Sequence, residues 1–214
     1  MTDGARELLS ACEAVMAAPG VEIVRQTDIA GGWEALDNEV AEEVAEMFEG
    51  ITGQPCPNLL RPFLCLPDLI DLAWRSNEAT GEMRLAHPLI AWGSRLDPAY
   101  APTVLKASDV ERFRILDRVT DIASTSFVLF DYQNADEQGL ILFDTRDYAP
   151  LPLSGDEYLH LAAAAMGFDS WQYLFAELPI TPDRRERIDR SLGEVRRLFP
   201  DRDLSEFEAR AKAR

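Results

Sequence analysis

The phrase Val128-Leu129-Phe130-Asp131 returns thirteen residues later as Ile141-Leu142-Phe143-Asp144. Each is an unbroken apolar run that ends on a carboxylate. Each is rich in β-branched and aromatic side chains, and too short for a core helix. Such runs read as strands buried on both faces, and a sheet of that kind needs helices to cover it. The polar residues 133–139 between them suit a hairpin connection.

The flanking sequence supplies the helices. Residues 3–17 place Leu8, Cys12, Val15 and Met16 on one face, and Pro19-Gly20 stops the run. Asn38 is positioned to cap a second helix whose buried stripe is Val40, Val44, Met47 and Phe48. Its solvated face is Glu42, Glu43, Glu46 and Glu49, with Gly50 closing it. Four prolines, Pro55, Pro57, Pro62 and Pro67, then favour turns and a short helix over a central strand. Ile70-Asp71-Leu72-Ala73-Trp74 alternates as a strand. Met83-Arg84-Leu85 and Leu89-Ile90-Ala91-Trp92 read as further strand pieces broken by Pro88.

Two capping boxes follow, Ser108 with Glu111 and Ser154 with Glu157. The first predicts a helix burying Val110, Phe113 and Leu116 and turning Arg112, Arg114 and Arg118 outward. The second opens a helix with Tyr158, Leu161, Ala162 and Ala165 inward, stopped at Gly167. Asp169 caps a short helix carrying Trp171. Thr181-Pro182 opens a long one whose apolar set is Ile188, Leu192, Val195 and Phe199. The expected fold class is α+β: a mixed, mainly antiparallel sheet covered by helices, with a helical C-terminal tail. The expected organisation is one α+β domain over 1–180 and a helical extension over 181–214.

Composition narrows function by exclusion. Against 21 Lys plus Arg stand 38 Asp plus Glu, a formal net charge of −17. Residues 181–214 hold 10 basic and 8 acidic side chains, so 1–180 carries −19 and the tail +2. Nucleic acid is a poor ligand for such a body, because phosphates call for clustered Lys and Arg. Apolar runs long enough to span a membrane and a signal-peptide core are both lacking, which leaves the cytoplasm as the expected location. Cys12, Cys56 and Cys65 lack metal or disulfide spacing, and His87 and His160 are distant in sequence, so neither a metal nor a cofactor is expected. Nucleophile-elbow, phosphate-loop and dinucleotide motifs are missing. Trp33, Trp74 and Trp92 read as core.

Asp131 and Asp144 are the one carboxylate pair that invites a general acid–base reading. In a hairpin around 133–139, position 132 faces 140 and 130 faces 142, which sets Asp131 and Asp144 on opposite faces of the sheet. That register argues against a dyad. The acidic loop, with Asp136 and Glu137, reads instead as a lip that steers a basic partner. Trp171 is a possible interface anchor beside Tyr173 and Phe175.

The stretch from Phe127 through Asp144, followed by Pro150-Leu-Pro-Leu-Ser-Gly-Asp-Glu-Tyr-Leu159, resembles the late part of the SUKH superfamily. There a sheet hairpin leads into a helix opened by a Ser and Glu-Tyr-Leu pattern. Pro57-Asn-Leu-Leu-Arg-Pro-Phe-Leu64 and the strand at 70–74 resemble that fold's entry, so the likeness covers about 35–178. Ser76-Asn77-Glu78 stands where the family usually has a glycine turn. The resemblance implies an α+β domain that binds proteins without a catalytic centre, many bacterial members being regarded as immunity proteins against toxins, often nucleases. The expectation is a non-enzymatic binding domain for a basic protein, with Asp131, Asp136, Glu137, Asp144 and Trp171 as contacts. The alternatives are a small carboxylate-dependent enzyme with a cleft beside the sheet, or a self-associating scaffold.

Overall fold

The structure is a computed structural model that describes residues 3–27, 35–67, 69–95, 110–121, 124–144 and 147–214. Trp33 and the Ser108 cap lie outside them. Seven strands form one sheet whose spatial order follows the chain, each antiparallel to the next. They are β1 (Glu22–Gln26), β2 (Ile70–Arg75), β3 (Thr80–Leu85), β4 (Phe113–Asp121), β5 (Ser124–Asp131), β6 (Leu140–Asp144) and β7 (Asp147–Leu151). The helices are α1 (Asp3–Ala17), α2 (Asn38–Thr52), α3 (Pro88–Gly93), α4 (Ala135–Gln138), α5 (Gly155–Ala164), α6 (Pro182–Leu198) and α7 (Ser205–Ala213). A 3-10 helix spans Asn58–Cys65, and a 3-10 turn spans Trp171–Leu174. This is an α+β fold with a helical C-terminus.

The two apolar runs are buried on both faces. Val128, Phe130, Leu140 and Leu142 join the main core with α1, α5, the 3-10 helix and α6. Phe127, Leu129, Ile141 and Phe143 point the other way and pack with Val110 and Phe113. The tail belongs to the main core, since Ile188, Val195 and Phe207 are each at most 1% exposed within it. The Ser154 capping box forms with both bonds, Glu157 N to Ser154 Oγ at 3.2 Å and Ser154 N to Glu157 Oε2 at 2.8 Å. Thr181 caps α6 through Arg184 N at 3.3 Å.

Five expectations are corrected, the first at Asp169, which does not cap the 3-10 turn: Ser170 holds that position at φ 66° with no side-chain cap bond. The segment 113–121 is the strand β4, not a helix, and Arg114 is buried, donating to the carbonyls of Trp92, Glu111 and Phe113. A register shift between Ile115 and Asp117 interrupts the alternation there, which made the segment look helical. Residues 88–93 are helical because Pro88 occupies the first turn and His87 Nδ1 accepts from Leu89 N at 3.3 Å. The β5–β6 register pairs Phe130 with Leu140 and Ser126 with Asp144, two residues from the expected one, because α4 takes up the loop and Gly139 closes it at φ 68°. Asp37, rather than Asn38, caps α2, and the helix buries Ala41, Ala45 and Phe48 while Val40 and Met47 face solvent.

Candidate functional site

A two-residue register shift preserves parity, so Asp131 and Asp144 do lie on opposite faces of the sheet. Asp131 is fully buried and starts the hairpin loop. Its Oδ1 accepts from Gln133 N at 2.9 Å, its Oδ2 accepts from Asn134 Nδ2 at 3.2 Å, and Arg112 pairs with it at 3.3 Å.

Asp144 points toward the helices. Its Oδ2 accepts from Tyr173 Oη at 2.7 Å and from the Arg184 guanidinium at 3.1 Å, while Ser126 Oγ lies 2.9 Å from the same Tyr173 hydroxyl. Arg184 also sits over the Tyr173 ring, 3.7 Å from its centre. Burial pushes the Tyr173 hydroxyl well above the ordinary phenol range, so it stays a donor. Trp171 is 1% exposed and packs on Tyr158, Phe175 and Phe207. Thus Asp131, Asp144 and Trp171 are interior groups in the folded chain and present no contact surface.

The same 3-10 turn makes a second tie. Gln172 Nε2 donates to Asp117 Oδ2 at 3.2 Å and to Tyr158 Oη at 3.3 Å, and the Tyr158 hydroxyl donates to Asp117. Burial pushes the Asp117 carboxyl up to about 7, against hydrogen bonds from Tyr158 and Gln172 that pull it down. Asp117 Oδ1 and Gln172 Oε1 are buried acceptors with no hydrogen-bond partner among the described residues. Burial favours the uncharged, protonated form of this carboxyl. Sequence reading missed Asp117, Tyr158 and Gln172 as a unit. Asp117 fell in the supposed helix, and nothing in one sequence aligns a glutamine at 172 with a strand at 117.

The exposed acids form a different constellation. Asp136 and Glu137, at the start of α4, are exposed. Asp136 Oδ1 accepts from Leu59 N at 2.9 Å and its Oδ2 from Asn58 Nδ2 at 3.4 Å, which caps the 3-10 helix. Arg61 on that helix pairs with Glu42 of α2 at 2.8 Å. Glu39, Glu42, Glu43, Glu46 and Glu49 are all exposed along α2, which carries no Lys or Arg. The loop lip and the α2 row are thereby joined through one short helix. Sequence reading had both halves and missed the joint, because the Asp136–Leu59 bond spans 77 residues.

His160 bridges α5 to α1, with Nδ1 2.7 Å from Glu7 and Nε2 3.2 Å from Asp156. All three cysteines are free and buried. Among the described residues no group of three or more His, Cys, Asp and Glu is placed to hold a metal ion. No helix among them is long and apolar enough to cross a membrane. No family model, curated protein or solved structure matches the chain.

Proposed function

We propose that the chain is a non-enzymatic protein-binding domain of SUKH type that occludes a basic protein partner, as an immunity protein does a toxin. The observation that carries this reading is the joined acidic surface of α2, the 3-10 helix and α4. Carboxylates on one continuous exterior raise the local concentration of a basic partner and orient it before contact. The buried carboxylates are engaged otherwise: Asp117, Asp131 and Asp144 each bind groups that hold loops or helices to the sheet.

A second reading, an enzyme using a buried acid, rests on Asp117 with its raised pKa. At 4% exposed and enclosed by Tyr158 and Gln172, Asp117 is poorly placed to meet a substrate. Affinity capture on the immobilised chain at low ionic strength, with elution by a salt gradient, separates the readings. A single basic protein eluting at moderate salt supports occlusion. Recovery of no protein, together with turnover lost in Asp117→Asn, supports the enzyme.

A further inference from the structure

The helix α2 has three faces. At about 100° per residue, Ala41, Ala45 and Phe48 fall together and are the buried side. Glu42, Glu46 and Glu49 turn away from it on one flank. On the other, Val40, Val44, Met47 and Ile51 fall at i, i+4, i+7 and i+11, a stripe about 90° from the buried side. Val40 is 37% exposed, Met47 53% and Ile51 63%, and Val44 is half-buried against the core. Glu43 and then Glu39 border the far edge of the stripe. An apolar ridge of this regularity, left in water beside a row of carboxylates, has the form of a helix-docking surface.

We propose that this stripe is the anchor of the partner interface, and that its occupant is an amphipathic helix of the partner with Lys or Arg beside its apolar face. The inference rests on the protein-binding reading and names the surface and the partner's recognition element. The stripe is about 16 Å long, three turns of an opposing helix. Met47 gives it a side chain that adapts to an irregular apolar surface. Charge chooses the occupant. The helix has Glu39, Glu42, Glu43, Glu46 and Glu49 and no cation, so cations on the incoming helix would find acids along the stripe's edge. A second copy of this chain would bring its own glutamates and another −17 toward the same surface. An anionic membrane surface meets the same repulsion.

The test uses the full chain and a designed leucine–lysine amphipathic peptide as the probe, followed by amide NMR shifts at low salt. Shifts centred on residues 39–51 are expected, with affinity falling about tenfold in the double variant Met47→Ser/Ile51→Ser. Both residues are exposed in the free chain, so an unchanged Tm accompanies that loss. Glu39→Gln/Glu43→Gln is expected to flatten the salt dependence. Shifts that map elsewhere, or a double variant that binds as well as the parent, overturn the proposal. So does a chain that sediments as a dimer dissolved by the serine substitutions. A natural basic partner that still binds the serine variant sinks this inference and leaves the binding function standing. Failure to capture any partner sinks the function itself.

Discussion

The hydroxyl of Tyr173 donates to Asp144 at 2.7 Å, joining the 3-10 turn beneath the C-terminal helices to the end of β6. Arg184 from α6 converges on the same carboxylate oxygen, so one buried acid holds three elements. Tyr173→Phe removes the hydroxyl's bonds to both Asp144 and Ser126 and is expected to cost about 1–3 kcal/mol. Asp144→Ala leaves the Arg184 guanidinium buried without this carboxylate, for about 3–5 kcal/mol. Urea denaturation of both variants, with the alanine change the worse, checks the ordering.

Asp117 makes stability depend on pH in an unusual direction. Its folded pKa is raised from 3.8 to about 7, so the folded chain holds a proton that the unfolded chain releases. Stability therefore declines as pH climbs between those values and levels off above about 7. Asp117→Asn keeps an uncharged acceptor for Tyr158 and removes that decline. The wild-type minus variant difference in unfolding free energy, measured from pH 4 to pH 8.5, should fall steadily and then flatten.

His160 works in a different window. Partial burial lowers its pKa, but the hydrogen bonds and charges of Glu7 and Asp156 outweigh that and leave it above the ordinary 6.5. Its contribution is fully present below 6.5 and is lost as pH rises through the raised folded value. His160→Gln should lower Tm at pH 5.5 and leave it nearly unchanged at pH 9. The groups are partly exposed, so added salt should shrink the difference.

Gly81 lies beneath the Trp74 indole, whose Nε1 donates to Met166 O at 2.8 Å. A Cβ at position 81 would run into the indole ring, which is held by that bond. Gly81→Ala should therefore cost about 1–3 kcal/mol through overpacking. Thermal unfolding of the variant measures it, and a Tm within a degree of the parent would show that the indole can move aside.

The sheet pair 127–131 and 140–144, α1, α5 and α6 were legible because their apolar periods and caps agree locally. The opposite placement of Asp131 and Asp144 was also legible, since parity survives an error of two in register. β4 was not legible: a bulge at Leu116 broke its alternation, and three arginines mimicked a solvated helix face. The α2 stripe reads as core because it is apolar, whereas the buried side is Ala41, Ala45 and Phe48. Of the candidate contacts, Asp136 and Glu137 are on the surface. Asp131, Asp144 and Trp171 are inside, because pairing with arginine, tyrosine and aromatic neighbours far along the chain leaves no trace in local sequence.

Charge-guided capture is the central step of the proposed binding. Its most direct measurement is the association rate of the captured partner across ionic strength, for the wild-type chain and for Glu43→Gln/Glu46→Gln/Glu49→Gln. Electrostatic steering predicts a wild-type rate that falls at least tenfold from about 20 to about 200 mM salt, and a clearly shallower fall in the triple variant. A rate independent of salt, or an equal slope in the two proteins, would contradict it.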